Sequence, residues 1–309
     1  MFESSITVPA FAKINWSLRV LGKRSDGYHE IDTVLQTISL HDAITLSVRD
    51  DATITLLCDD RSVASDESNL IWRAAAALQT RFSVNQGARI RLEKRIPSQA
   101  GLGGGSSDAA ATLIALAHMW ELEVSDEDLV KVAEGLGADV PFFLYGGTAR
   151  GTRTGKAIAP FRDMSETYLL ILKPQANIAT TKAYGTLNAR SLTSSDSKFI
   201  LSSSQVADFL DRLSPDALHN DFEEVAFQLE PEIARAKAAL LRTGARAAML
   251  AGSGSAVFGI FENKDAQERA IQAIELEAGW RVFPCKTVGR DHYRSAMGPA
   301  GKILAPLFG

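Results

Sequence analysis

Alternating apolar and polar positions dominate the first fifty residues of the chain. Apolar side chains stand two apart between residues 14 and 20, and again between residues 44 and 48. Residues two apart share one face of a strand, so both runs predict β-strands. The residues between them, GKRSDGYHE at 22–30, carry the glycine and Ser-Asp-Gly signals of a turn.

The spacing then becomes that of helices separated by a strand. Residues 66–82 predict a helix capped by Ser68, and residues 125–136 predict another capped by Ser125. Between them, residues 89–96 alternate like one face of a strand, and a glycine-rich stretch follows. This order of strand, helix, strand, loop and helix predicts mixed α/β layers.

The second half of the chain combines strands with more helices. Strands are predicted at 168–174 and 280–288, and residues 247–261 read as strand, turn and strand. An exposed, serine-rich connection is expected at 197–205, and helices are expected at 180–188, 205–213, 221–230, 231–243 and 265–275. We therefore expect an α+β sandwich with helices on one face, and a division of the 309 residues into domains 1–165 and 166–309.

The glycine-rich stretch, residues 97–113, reads PSQAGLGGGSSDAAATL. Glycine adopts positive φ and allows a ligand close to the backbone, and a helix beginning at Ser106 or Ser107 would point its N–H groups at the same place. A loop of this kind before a helix N-terminus is suited to phosphate. The alternative is a flexible linker, which the strand before it and the apolar helix after it disfavour.

Composition narrows the class of protein. The chain is 46% hydrophobic and 23% charged with a net charge of −4, so no nucleic-acid partner is expected. Cys58 and Cys285 lack metal-ligand spacing and read as reduced thiols. Neither a signal peptide nor an apolar run of about 18 residues is present, so a cytoplasmic protein without membrane contact is expected.

Several side chains outside the glycine stretch are candidates for chemistry, and each has a simpler explanation. Lys13 stands in an apolar strand with Asn15 on its face, and it points either to solvent or toward an anion in a cleft. Asp139 precedes Pro141 and is either an ordinary capping residue or a base lining a cleft.

Tyr28 and His29 lie at a sheet edge, where they either cover the core or stack on a flat ring. The AGSGS turn at 251–255 is either a tight hairpin or a second phosphate bend.

Three stretches together resemble the GHMP kinases, a family named for galactose, homoserine, mevalonate and phosphomevalonate kinases. These stretches are PAFAKINWSL near the start, PSQAGLGGGSSDAAATL in the middle and LAGSGSAVFGIF near the end. The resemblance covers almost the whole chain. It implies an N-terminal domain like one of a ribosomal small-subunit protein, a C-terminal ferredoxin-like domain and an active site between them.

The resemblance also implies an activity and its residues. ATP would be the co-substrate, with Mg²⁺ carried by the nucleotide, and the γ-phosphate would pass to a hydroxyl of a cytidine-diphosphate-linked polyol of the non-mevalonate isoprenoid route. Asp139 would be the base and Lys13 its partner. ATP would be bound by Gly101, Leu102, Gly103, Gly104, Gly105, Ser106 and Ser107, with Lys94 and Asn69 near the adenosine. The substrate would be bound by Asn15, Tyr28, His29, Thr181 and Tyr184.

Two departures from the family pattern leave alternatives open. Ala251 stands where a hydroxyl residue is usual, and no acidic residue obviously corresponds to the Glu that holds Mg²⁺ in several GHMP kinases, so no direct protein ligand of a metal is expected. The rivals are a kinase for another alcohol such as mevalonate or homoserine, a non-catalytic ATP-binding regulator and an RNA-binding protein. A monomer or a homodimer is expected.

Overall fold

Two long strands form the centre of the first sheet. The computed structural model describes residues 5–187 and 218–304, and within it the first two strands pair antiparallel. The pairing shifts register between Phe11 and Lys13 and between Asn15 and Ser17. Such shifts bend a strand and re-aim its side chains. In chain order the strands are β1 (Ser5–Lys23), β2 (His29–Arg49), β3 (Ile54–Cys58), β4 (Gly87–Glu93), β5 (Thr148–Arg153), β6 (Ala157–Pro160), β7 (Tyr168–Lys173), β8 (His219–Asn220), β9 (Ala247–Leu250), β10 (Val257–Phe261) and β11 (Arg281–Lys286).

The described strands form two sheets. The first has the order β3-β4-β2-β1-β8, and the hairpin of β5 and β6 continues from β2. The second has the order β11-β7-β10-β9, with every neighbouring pair antiparallel. This second order is that of the ferredoxin-like arrangement. The sequence predicted the four strands of the second sheet, but it missed β3 and β8.

The helices begin where backbone chemistry allows. Asn69, not the predicted Ser68, caps the first helix, because its side chain accepts a hydrogen bond from Ile71 N at 2.9 Å while the Ser68 hydroxyl donates to Asp66. Ser125 caps its helix as predicted. The described helices are α1 (Leu70–Phe82), α2 (Gly104–Met119), α3 (Asp126–Leu136), α4 (Phe142–Tyr145), α5 (Thr180–Thr186), α6 (Phe222–Leu229), α7 (Pro231–Arg242), α8 (Lys264–Ala273) and α9 (Arg290–Ala296), followed by a 3₁₀ helix at Gly298–Leu304.

Helix α2 lies at the centre of the first half. Every residue from Ser107 to Ala117 is buried, so the helix is enclosed on all sides by α1, the sheet and the segment after β11. A helix that is apolar all round belongs in a core, and the small alanines let its neighbours approach closely. It begins at Gly104, two residues earlier than predicted.

A shared apolar layer joins the two sheets. Trp16 of β1 meets Phe258 of β10 edge to face, with ring centroids 5.7 Å apart. Ile14 lies in the same layer, as do Leu169 and Ile171 of β7. The opposite face of the second sheet is covered by α7 and α8, in agreement with the predicted sandwich with helices on one face.

The segment after β11 returns to the first half of the molecule. Tyr293, Met297, Ala300 and Leu304 are buried beside α2 and α4. Their spacing of four, three and four is that of one helix face, a signal that the sequence analysis overlooked. The proposed division near residue 165 therefore leaves the last part of the second segment packed on the first.

Two of the predicted segments lie outside residues 5–187 and 218–304, which the structure describes. They are the helix at 205–213 and the serine-rich connection at 197–205. Among the residues described, no helix has the length and apolar character needed to cross a membrane.

The packing of Tyr293 leads to a stability prediction. The side chain is fully buried and its hydroxyl donates to the carbonyl of Phe143. Tyr293→Phe should lower the free energy of unfolding by about 1–3 kcal/mol, since a buried acceptor is left unpaired. Tyr293→Ala should lower the free energy of unfolding by about 3–5 kcal/mol.

Urea denaturation measures the free energy of unfolding of both variants. The control is Tyr168→Phe, because the Tyr168 hydroxyl is exposed and contacts Glu166, and this change should alter the free energy of unfolding by less than about 0.5 kcal/mol. Equal effects of the two Tyr→Phe changes would contradict the assignment.

Candidate active site

A cavity of about 740 Å³ lies where the two halves of the molecule meet. Its walls come from β1 and β2, from the glycine-rich loop, from the turn before α4, from α5 and from the AGSGS turn. Of the residues singled out in the sequence, those lining it are Lys13, Asn15, Asn69, Lys94, residues 101–106, Asp139 and Tyr184. One cavity therefore brings together residues separated by up to 240 positions in the chain, from Lys13 to Ser253.

Other predicted residues lie outside the lining of this cavity. Ser107 is buried, and its hydroxyl donates to the carbonyl of Phe11 at 2.6 Å, which ties α2 to β1. Thr181 is exposed on α5, whereas its neighbour Thr180 lines the cavity, with its hydroxyl 3.1 Å from the hydroxyl of Ser253.

Asn69 lines the cavity, but both ends of its side-chain amide are already hydrogen-bonded. The oxygen accepts from Ile71 N, and the nitrogen donates to the carbonyl of Ala64.

The glycine-rich loop is shaped by residues with positive φ. Gly101 has a φ of 76° and Gly103 a φ of 71°, values that L side chains rarely adopt. The backbone N–H of Lys13 donates to the carbonyl of Leu102 at 2.9 Å, which fixes the loop to β1. Helix α2 starts immediately afterwards, so its unpaired N–H groups and the positive end of its dipole lie at the loop. The arrangement is suited to an anion.

The AGSGS turn is a hairpin and also a part of the cavity. It connects β9 to β10, and Gly252 and Ser253 line the wall. Its last residues pair with the glycine-rich loop: Ala256 N donates to the carbonyl of Ala100 at 3.1 Å. A Cβ on Gly101 would overlap the carbonyl oxygen of Ala251. The two small-residue turns are thus packed backbone against backbone.

Lys13 and Asp139 form an ion pair at the wall of the cavity. The Lys13 side chain is buried, and its ammonium donates to Asn15 Oδ1 at 2.9 Å and lies 3.5 Å from Asp139 Oδ2. The Asp139 side chain is 39% exposed, so its carboxylate is reachable from the cavity. A buried cation needs such partners, because an unpaired charge in a protein interior is costly. The structure places Lys13 in the cleft, which settles the choice between cleft and solvent.

Lys94 is enclosed by two carboxylates. Its ammonium contacts Asp42 and lies 3.0 Å from Asp108, and both acids are buried. Burial opposes the charge on Lys94, but Asp108 and Asp42 outweigh it and raise the Lys94 pKa. Burial, countered by Lys94 and reinforced by Asp42, raises the pKa of Asp108 to about 8. Sequence patterns gave no sign of this cluster, because its members come from β2, from the loop after β4 and from α2.

Three rings meet at the edge of the cavity. His29 stacks on Tyr184, with centroids 4.8 Å apart and planes 28° apart, and Tyr184 meets Phe222 edge to face. Burial, with a smaller effect of Lys23, lowers the pKa of His29, so the ring is neutral at pH 7. Burial and the charge of Asp139 raise the pKa of Tyr184 to about 12. Tyr28, the residue before His29, is 66% exposed.

Comparison with known proteins agrees with this geometry. Family models for the N-terminal and C-terminal domains of GHMP kinases match residues 69–147 and 206–279. A 4-diphosphocytidyl-2-C-methyl-D-erythritol kinase of Brevibacillus brevis is 37% identical over 87% of this chain and 92% of its own. One of Bacillus mycoides is 37% identical over 87% and 93%.

Solved structures give the same result. The crystal structure of a 4-(cytidine 5'-diphospho)-2C-methyl-D-erythritol kinase is 33% identical, with a TM-score of 0.78, and covers 92% of this chain and 100% of that one. A homoserine kinase of Cytophaga hutchinsonii has a TM-score of 0.69 at 19% identity over 94% of this chain and 96% of its own, which shows the fold alone.

The chain belongs to the GHMP kinase family, as the glycine loop and the cleft between its two sheets indicate. It is an ATP-dependent phosphotransferase, and the predictions of enzyme class and of the two-domain kinase fold are confirmed. Within the family, the relatives described above at 33% identity or more are kinases of 4-diphosphocytidyl-2-C-methyl-D-erythritol.

The contact between the two turns leads to a prediction about Gly101. Gly101→Ala should force the glycine loop and the AGSGS turn apart and lower the free energy of unfolding by about 2 kcal/mol or more, through overlap and positive φ together. Gly105→Ala is the matched control, because its Cβ would lie 3.8 Å from the nearest atom, in Leu70. Thermal unfolding compares them, and a Gly101→Ala protein as stable as the control would contradict the packing.

The enclosed Asp108 leads to a pH prediction. Burial raises the pKa of Asp108 in the folded chain well above the ordinary value of 3.8, at which the unfolded chain loses this proton. The folded state therefore binds more protons between these values, so its stability should fall as pH rises, by up to about 1.4 kcal/mol per pH unit. Asp108→Asn should remove this fall. Urea unfolding from pH 5 to 8 tests it, and parallel curves for the two proteins would overturn it.

Proposed function

We propose that the chain transfers the γ-phosphate of ATP to the 2-hydroxyl of 4-diphosphocytidyl-2-C-methyl-D-erythritol, in the non-mevalonate route to isoprenoid precursors. The observation that carries the proposal is the Lys13–Asp139 ion pair, 3.5 Å apart, in the same cavity as the glycine loop. The names of the relatives at 33–37% identity support the choice of alcohol.

The ATP phosphates are assigned to the glycine loop. Residues 101–106 offer backbone N–H groups at the start of α2, and these suit the negative charge of a triphosphate, whereas the Ser107 N–H donates to the carbonyl of Gly103 at 2.9 Å. Lys94 and Asn69 are assigned to the adenosine side. Lys94 already shares its charge with Asp42 and Asp108, so it fits a hydrogen-bonding role better than the neutralisation of a phosphate.

The transfer itself is assigned to Asp139 and Lys13. A loose transition state asks for positioning and for neutralisation of the oxygens of the moving phosphoryl group. Asp139 would accept the proton of the acceptor hydroxyl or orient that hydroxyl. Lys13, held by Asn15, would offset the charge that approaches from the phosphate and from Asp139.

The cytidine end is assigned to the aromatic group at the cavity edge. His29 and Tyr184 stack on each other at the edge of the cavity. Each ring is flat, so a cytosine base could stack on either of them. The neutral His29 can donate and accept hydrogen bonds at the base edge. Tyr28, exposed beside it, would close over the base, and Asn15 and Thr181 would contact polar groups of the substrate.

Mg²⁺ is assigned to the nucleotide and not to the protein. Among residues 5–187 and 218–304 no group of three or more acidic, histidine or cysteine side chains could hold a metal ion. Asp139 and Asp108 line the cavity, but each is paired with a lysine. We therefore assign the ion to the ATP phosphates, which are among its ordinary ligands.

We also propose that the enzyme works in the cytoplasm and has no nucleic-acid partner. Cys285 is buried and Cys58 is half-buried, and both are free thiols, which suits the reducing cytoplasm. The net charge of −4 disfavours a nucleic-acid partner. A monomer or a homodimer, divided into domains near residue 165, remains our proposal.

An assay of product decides the substrate. We expect ³¹P NMR of ATP reactions to show new phosphate on 4-diphosphocytidyl-methylerythritol, and none on mevalonate, homoserine or galactose. Asp139→Asn should lower kcat by about 10²–10⁴-fold if Asp139 is the base. The matched change Asp265→Asn, on the exposed start of α8, should leave kcat unchanged.

The other outcomes separate the rivals. Phosphorylation of another alcohol would retain the kinase family and reject this substrate. Binding of ATP without turnover of any alcohol would favour the regulator. Full activity of Asp139→Asn would reject Asp139 as the base while leaving the substrate assignment intact.

A further inference from the structure

Thr33 of β2 lies in the wall of the cavity and was not among the residues that the sequence singled out. Its side chain is buried, and its hydroxyl donates to the carbonyl of Ser17 at 2.6 Å. A hydroxyl has one proton. Because that proton is committed to Ser17, the Thr33 oxygen can only accept a hydrogen bond from any other neighbour.

The other neighbour is the amide of Asn15. Asn15 Nδ2 donates to Thr33 Oγ1 at 2.8 Å, and Asn15 is itself buried. If the amide were reversed, its oxygen would face the Thr33 oxygen with no proton between them, and its NH₂ group would face the ammonium of Lys13. Both contacts would be unfavourable. The hydroxyl of Thr33 thus selects one of the two orientations of the amide.

That orientation determines what Lys13 contacts. Asn15 Oδ1 accepts from the Lys13 ammonium at 2.9 Å, and Asp139 Oδ2 lies 3.5 Å from the same nitrogen. The ammonium is therefore held between a fixed neutral oxygen and the carboxylate. With the amide reversed, Lys13 would lose the neutral oxygen and would be free to turn toward Asp139 or away from the cavity.

A register shift lies beside the contact with Ser17. The shift between Asn15 and Ser17 pairs Thr33 with Leu18 and Val34 with Ser17. In this register the Ser17 carbonyl accepts the hydrogen bond of the Thr33 hydroxyl at 2.6 Å. The register shift, Thr33 and Asn15 therefore lie together next to Lys13.

We propose that Thr33 is a positioning residue, which orients the Asn15 amide and so holds Lys13 at the site of phosphate transfer. This inference rests on the proposed kinase function. Thr33 itself need not touch either substrate, so its removal should affect turnover more than binding of ATP.

The test is a set of five variants in the assay of the full chain with ATP and 4-diphosphocytidyl-methylerythritol. Thr33→Val keeps the shape and removes the hydroxyl, and it should lower kcat by about tenfold to a hundredfold, with KM for ATP changed less than about twofold. Thr33→Ser keeps the hydroxyl and should retain kcat within about threefold, since only a methyl group is lost.

The Asn15→Asp background separates orientation from packing. A carboxylate presents an oxygen to Lys13 in either orientation and needs no orienting group, although its other oxygen requires the Thr33 hydroxyl to turn from Ser17 and donate to it. Adding Thr33→Val to Asn15→Asp should therefore lower kcat much less than Thr33→Val does in the otherwise unchanged chain. Thr112→Val is the structural control. Thr112 is buried on α2 and donates to a carbonyl, that of Asp108 at 2.8 Å, so it should lose stability as Thr33→Val does while keeping kcat.

The results have distinct meanings. If the unchanged chain does not phosphorylate the substrate, the proposed function fails. If it does, but Thr33→Val retains kcat, or lowers it equally in both backgrounds, the role of Thr33 is rejected. Should Thr33→Val fail to fold in urea unfolding controls, Thr33→Ala with and without Asn15→Asp gives the same comparison, with the same loss and the same non-additivity expected.

Discussion

The structure depends on a contact between two pieces of backbone. The glycine loop and the AGSGS turn pack so closely at Gly101 and Ala251 that no side chain fits between them. Main-chain hydrogen bonds from residues 255 and 256 to residues 99 and 100 hold them in register. This contact joins the two halves of the molecule beside the cleft. Helix α2 begins directly after the loop, and the backbone N–H of Lys13 donates to the loop carbonyl of Leu102.

Two buried lysines in this cleft are balanced in different ways. Lys94 is enclosed by Asp42 and Asp108, so the cluster is closed and its charge is compensated within the protein. Lys13 has one neutral partner, Asn15, and one carboxylate, Asp139, that is open to the cavity. An open pair can respond to an incoming anion, whereas a closed cluster holds the backbone around it. This difference supports our proposal that Lys13 takes part in the transfer and that Lys94 has a hydrogen-bonding role on the adenosine side.

Local patterns predicted the parts of the site that depend on nearby residues. The glycine loop, the shared face of Lys13 and Asn15 and the cap at Ser125 follow from spacing alone. Thr33 did not follow, because its relation to Asn15 depends on a register shift between two strands. Asp42 meets Lys94 across 52 positions, and no periodicity encodes such a meeting. The cap at Asn69 was missed because Ser68, an equally good cap by type, is held by Asp66.

The return of residues 290–304 to the first half has a consequence for biosynthesis. Tyr293, Met297 and Leu304 complete the core around α2, although that helix is made nearly two hundred residues earlier. A nascent chain therefore carries an unfinished first core until the second sheet has been synthesised. The apolar surface of α2 lacks its last cover during that interval, and exposed apolar surface of this kind favours aggregation.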